Sequence, residues 1–307
     1  MKIAMGRSTA SRSRRNSLRK GPGGLLRTIG SVLKHITSGL RYEIRGRFPA
    51  ERWDFGVVNG AAISHAPTIE PSTQNPLEQY CDAHTIGPGI WKWRHYFDIY
   101  HRHFQKFIGR EVHLMEIGIY SGGSLDMWKH YFGPGCTVYG VDIQPECMGY
   151  EGERTKIFIG DQADRGFWRE TLQKIPKLDI IIDDGGHEAH QQIATLEETL
   201  PALAPGGVYV CEDLHGRNNK FTSYCYGLSH GLNASRFTNE EVLASYATPF
   251  QQFVQSIHFY PFVVVIERTT NHEETFEAPK HGTQWQPFGR EWRCQPQSDS
   301  NSTTPLE

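Results

Sequence analysis

The feature that most constrains this chain is an alternation of short, almost wholly apolar runs with longer mixed segments between residues 112 and 212. The runs are VHLMEIG (112–118), CTVYGVD (136–142), TKIFIG (155–160), LDIIIDD (178–184) and GGVYVCE (206–212). Between them, helices are predicted near 121–132, 164–174 and 188–203. Strands apolar on both faces and separated by helices specify a parallel sheet covered on both sides. SIHFYPFVVVIER, after a helix predicted near 238–253, reads as two strands turning at Pro261, which suits an antiparallel edge. The expected fold is α/β: a Rossmann-like, seven-stranded sheet with helices on both faces and an antiparallel edge strand.

The rest of the chain divides by composition. Residues 1–50 hold twelve Lys or Arg and one acid, Glu43, whereas residues 51–307 hold 20 basic and 33 acidic residues. An acidic body repels phosphates, so nucleic acid is not an expected partner. In the basic arm, Leu25, Ile29, Val32, Leu33 and Ile36 recur at helical spacing. Three readings stay open there: a tail with a docking helix, a helix lying on an anionic membrane surface, or an organellar targeting segment. Residues 51–87, broken by Pro67, Pro71 and Pro76, read as an irregular linker. The domain is expected over 88–270, opened by an aromatic helix from Ile90 to Phe107, with a polar tail over 271–307. Trp91, Trp93, Tyr96 and Tyr100 are expected in that helix's core face, with the lining of a sugar pocket as the alternative. No run reaches the roughly 18 apolar residues that cross a bilayer. Six Cys with no CxxC pair exclude a disulfide scaffold and a Cys-type zinc site, and fit a reducing, cytoplasmic setting.

The strand ends carry the chemistry. MEIGIYSGGS places Glu116, Gly118, Tyr120 and Gly122 at a strand-to-helix turn, where glycine lets backbone approach a ligand. Asp142 ends the next strand and can accept hydrogen bonds from ribose hydroxyls. Tyr120 stands where a dinucleotide fingerprint has its middle glycine. Glu116 would repel a pyrophosphate and suit an ammonium or sulfonium, which favours S-adenosylmethionine over a dinucleotide. Asp161 and Gln162 end the third strand and suit adenine; Asp161 or Asp164 equally suits a helix cap.

The fourth strand leaves into Asp183, Asp184, His187 and His190, and the fifth into Glu212, Asp213 and His215. Carboxylates converging at neighbouring strand ends need a positive charge among them, and oxygen ligands select a hard ion such as Mg²⁺. Zinc lacks an HExxH spacing here; a two-His-one-carboxylate iron site stays open. His190 is expected on a helix surface.

Taken together, MEIGIYSGGSL, YGVDI, GDQAD, IDDGGH, PGGVYVCED and IHFYPFVVVIE resemble the metal-dependent class I S-adenosylmethionine O-methyltransferases of macrolide sugars, and the related cephalosporin hydroxylase-like group. The resemblance covers roughly 90–268. It implies Mg²⁺ on Asp184, Glu212 and Asp213, with His187 as base. It also implies cofactor contacts at Glu116, Gly118, Asp142, Asp161 and Gln162, to which we add Tyr120, Gly122 and Asp183 as neighbours in the same turns. The expected function is Mg²⁺-assisted methylation of a hydroxyl on a sugar or glycosylated natural product. The alternatives are an oxidative enzyme of the hydroxylase-like group and a non-catalytic protein tethered to a membrane by its arm. The expected partners are a small hydroxylated, glycosylated substrate, an anionic membrane surface at the arm, and further copies of the chain in a homo-oligomer.

Overall fold

A computed structural model of the chain describes residues 75–235, 243–279 and 281–282. The amphipathic segment predicted in the basic arm lies outside them, as does most of the tail. Among the described residues no helix is long and apolar enough to cross a membrane.

The sheet has seven strands: β1 (Val112–Ile117), β2 (Cys136–Asp142), β3 (Thr155–Ile159), β4 (Leu178–Asp183), β5 (Leu203–Cys211), β7 (Val254–Tyr260) and β8 (Val263–Arg268). Their order is β3-β2-β1-β4-β5-β8-β7. The first five are parallel, and β8 runs antiparallel to both β5 and β7. The predicted pair of strands joined at Pro261 is therefore a hairpin that carries the sheet's reversed direction.

Strand alternation divides the core into two layers. Leu114, Val138, Ile180 and Val208 point to one side, where helices α1 (Pro76–Ala83), α2 (Arg94–Phe104) and α3 (Gly123–Phe132) lie. Met115, Tyr139, Ile181 and Tyr209 point to the other, against α4 (Arg165–Leu172), α5 (Ala189–Thr199) and α6 (Lys220–Leu232). The predicted helices near 121, 164 and 188 are α3, α4 and α5. Asp164, not Asp161, caps α4, accepting from the Gly166 backbone at 2.7 Å.

Five local expectations are corrected. The segment 51–87 is not irregular throughout: Asn75 caps α1 and Pro76 fits its first turn, where a missing N–H costs nothing. The helix expected from Ile90 begins only at Arg94, because residues 89–93 form an extended strap. α6, absent from the sequence reading, starts at an Asn219 cap that accepts from the Thr222 backbone at 2.8 Å. The helix expected over 238–253 is instead β6 (Leu243–Tyr246) followed by the short α7 (Pro249–Phe253), since Pro249 starts a helix rather than continuing one. Finally, part of the polar tail is ordered as β9 (Thr275–Ala278), which pairs antiparallel with β6.

Behind the strand ends a polar core ties β3, β4 and β5 together. Asp183 is fully buried and accepts from Gln162 Nε2 (3.0 Å), Tyr209 Oη (3.2 Å) and the Gly185 backbone (3.3 Å). Burial outweighs these bonds and pushes its carboxyl up to about 6.

Two tests follow from this packing. Leu77 of α1 is 1% exposed within the core. Leu77→Ala should cost about 2–5 kcal/mol in chemical denaturation, whereas a linker position would lose almost nothing. Asp183 holds its proton more tightly folded than unfolded, where an Asp titrates near 3.9, so it removes stability as pH rises from about 4 to about 6. Asp183→Asn should therefore gain on the wild type across that window, by up to about 1.4 kcal/mol per pH unit. Parallel pH–stability curves would contradict this.

Candidate active site

The carboxyl ends of β1, β2, β4 and β5 open onto one cavity of about 1050 Å³, lined from Gly89 to His215. An open parallel sheet forms its crevice here because the connections depart to opposite faces.

The cofactor half is built on the first strand-to-helix turn. Gly118 has φ +82°, and a Cβ there would sit 2.0 Å from the Asp184 carbonyl oxygen, so only glycine lets β1 leave alongside β4. Asp142 clamps the turn: one oxygen accepts from the Ile119 (3.1 Å) and Tyr120 (3.2 Å) backbones, the other from Gln144 (2.9 Å). A carboxylate has about four acceptor positions, so one remains for a ligand. Gly118, Tyr120, Asp142, Asp161 and Gln162 all line the cavity. Tyr120 is 74% exposed.

Three residues expected to meet the cofactor do not line the cavity. Glu116 is fully buried, bonded by Ser124 Oγ at 2.7 Å. Asp183 is committed to the polar core. Gly122 carries the Tyr150 ring, which a Cβ would meet at 2.7 Å. Gln162 lines the cavity, yet its amide already bonds Asp183, Thr195 and the Gly186 backbone.

The acidic half contains a residue that the sequence reading placed in a helix. Lys92 reaches inward from the strap, its side chain 4% exposed, and its ammonium lies 2.6 Å from Asp184 Oδ2, 3.0 Å from Glu212 Oε2 and 3.4 Å from Glu116 Oε1. Burial disfavours its charge, but three carboxylates overcome that and hold it protonated. Trp91 and Trp93, 88% and 49% exposed, line the cavity on either side of it in sequence. They are not core residues, as expected of them, whereas Tyr96 and Tyr100 are.

Glu212 accepts from Lys92 at one oxygen and from Tyr100 Oη, at 2.5 Å, at the other. Burial raises its carboxyl despite the lysine. It lines the cavity beside a closer group of metal-ligand atoms. That group is Asp184, His187 and Asp213, with one atom of each within 4.8 Å of the others. His187 Nε2 lies 4.0 Å from Asp184 Oδ1 and 3.8 Å from Asp213 Oδ2. His187 and Asp213 both hold positive φ, +57° and +56°, a costly backbone state that aims side chains at functional sites. Tyr96 Oη (2.7 Å) and Trp93 Nε1 (3.1 Å) donate to Asp213 and fix its rotamer. His215 lies 3.5 Å from the same oxygen, at the rim. His190 is exposed on α5 and does not line the cavity.

The sequence signal for Lys92 was faint. It consisted of a Trp-Lys-Trp alternation after Pro88-Gly89, and of an acidic cluster lacking an assigned cation.

No protein-family model matches the chain. It is 32% identical over 280 residues to the 8-demethyl-8-(2-methoxy-α-L-rhamnosyl)-tetracenomycin-C 3'-O-methyltransferase of Streptomyces olivaceus, covering 76% of this chain and 68% of that one. It is 33% identical over 204 residues to the corresponding 8-demethyl-8-α-L-rhamnosyl tetracenomycin-C 2'-O-methyltransferase, covering 60% and 53%. The chain thus spans about half the length of one relative and two thirds of the other. A solved structure of the mycinamicin-pathway methyltransferase MycE, in complex with Mg, SAH and its macrolide, superposes with a TM-score of 0.52 at 23% identity, covering 64% of this chain and 53% of that one. That likeness is one of fold. On the tetracenomycin relative spanned over two thirds of its length, the chain belongs to the class I S-adenosylmethionine O-methyltransferase family that methylates sugars of macrolide and tetracenomycin type.

Proposed function

We propose that this protein is a Mg²⁺-assisted O-methyltransferase that takes its methyl group from S-adenosylmethionine and passes it to a hydroxyl of a sugar on a polyketide-type natural product. The observation that carries this is the meeting, in one cavity, of the glycine turn clamped by Asp142 with the Asp184–His187–Asp213 group. The donor sets suit both ligands. Asp142 keeps an acceptor position for a ribose hydroxyl, and Asp184 and Asp213 offer hard oxygens facing open space. The names of the relatives supply the acceptor class.

Bound at those oxygens, Mg²⁺ would acidify an acceptor hydroxyl. The chain's residues do the rest. Asp184 and Asp213 hold the ion and orient the acceptor, with Tyr96 and Trp93 fixing Asp213. His187 Nε2 accepts the hydroxyl proton, as a ring nitrogen facing the open cavity can. S-adenosylmethionine, bound at the glycine turn, would supply the methyl from its sulfonium and leave as the neutral thioether. Glu212, bonded to Lys92 and Tyr100, keeps acceptor positions toward the same ion, the role implied by resemblance.

Two measurements test this. Asp142→Ala removes a charged acceptor worth roughly 1.5–3 kcal/mol, so calorimetry should show S-adenosylmethionine binding about ten- to a hundredfold weaker; unchanged affinity would remove the cofactor assignment. His187→Ala should keep cofactor affinity and lose about 10²–10⁴ in turnover on a rhamnosylated polyketide. The deficit should narrow as pH rises and hydroxide replaces the base. Normal turnover at neutral pH would reassign the proton, with His215 the next candidate. Turnover that survives EDTA would exclude the metal.

A further inference from the structure

Lys92 occupies a place where a metal-binding cluster would be expected to tolerate no other cation. Its ammonium touches three carboxylates, and the nearest, at 2.6 Å, is Asp184. Asp184 is divided: Oδ2 faces the lysine, while Oδ1 faces His187 on the open side. The two inner acids, Glu116 and Glu212, are fully buried.

The lysine's delivery is built into the fold. The Gly123 backbone donates to the Gly89 carbonyl at 3.2 Å, and a Cβ on Gly123 would meet that oxygen at 2.5 Å. His84 Nε2 and the Pro88 carbonyl are 2.7 Å apart. The strap is thereby fastened to α1 and to the start of α3. From it, Lys92 reaches inward between the more exposed Trp91 and Trp93.

We propose that Lys92 is a resident counter-cation that competes with the divalent metal for Asp184 and holds the acidic cluster together when the metal is absent. This rests on the proposed function's reading that the cluster binds Mg²⁺. The four acids of the cluster outnumber its one ammonium, so a dication is attracted. The ammonium repels that dication at short range and weakens its binding. Without the ammonium, two buried carboxylates lose their counter-charge and the metal-free protein suffers. A bound dication should then replace the missing charge.

The test is calorimetric titration of the full chain with MgCl₂, alongside thermal melting with and without Mg²⁺. It uses wild type, Lys92→Met, and the double variant Lys92→Met/Glu116→Gln, which restores the cluster's net charge. Both variants should bind Mg²⁺ about tenfold or more tightly than wild type. Lys92→Met should melt lower without metal and recover most of the loss in millimolar Mg²⁺. If folded variants bind Mg²⁺ as the wild type does, or more weakly, the inference falls and the proposed function stands. If neither variant melts cooperatively even with millimolar Mg²⁺, the metal cannot replace the lysine's charge, and the inference also falls. If no protein, wild type included, shows saturable binding, the metal leaves the proposed function and the inference goes with it.

Discussion

The buried ion cluster around Lys92 is the contact on which the acidic site depends. Three strands carry acids near their ends: Asp184 and Glu212 stand level just past β4 and β5, and Glu116 lies in β1 opposite Ile182, two residues further back. A parallel sheet of this order forces those ends together. Unpaired, the acids would repel one another in a medium where desolvation costs several kcal/mol per ion. One ammonium, brought in by a strap from outside the sheet, makes the arrangement tenable. It also leaves Asp213 and the outer oxygen of Asp184 free for chemistry.

The two halves of the cavity use different devices. The cofactor side relies on backbone: a positive-φ glycine, a turn clamped by Asp142, and close approach between β1 and β4. The acidic side relies on side chains held by other side chains, with Tyr96 and Trp93 on Asp213 and Tyr100 on Glu212. The polar core around Asp183 stands between them and joins Gln162, Tyr209 and Gly185 behind the cavity wall. Tyr120, His187 and Asp213 carry positive φ without being glycine, which marks the cavity as the place where local backbone preference yields to function.

The sheet was legible because its strands are buried on both faces, so LDIIID and GGVYVC leave no polar alternation to mislead. Asp142, Asp184, His187 and Asp213 were legible because acids at consecutive strand ends must converge. What escaped had physical reasons. α6 carries Gly227, Gly231, Ser and Thr, which lower helix propensity, and it forms because Phe221 and Cys225 are buried against the sheet. The Arg94 helix start was hidden by an aromatic run that reads as continuous helix, although Trp91-Lys92-Trp93 alternates like a strand. Lys92 itself was illegible as a site residue because its partners Asp184 and Glu212 lie 92 and 120 residues away, and no local spacing reports such a contact. Glu116 shows the opposite error: an acid before the glycine turn was read as facing a ligand, and it faces a lysine.

The central claim is that one cavity holds a methyl-donor cofactor and a divalent ion side by side. Native mass spectrometry of the whole chain, titrated with S-adenosylmethionine, MgCl₂ or both, tests it most directly. The account predicts one cofactor and one Mg²⁺ adduct per chain, coexisting on the same molecule, with the Mg²⁺ adduct lost in Asp184→Asn and the cofactor adduct retained. A chain that takes up neither ligand, or that keeps its Mg²⁺ when Asp184 is replaced, would contradict it.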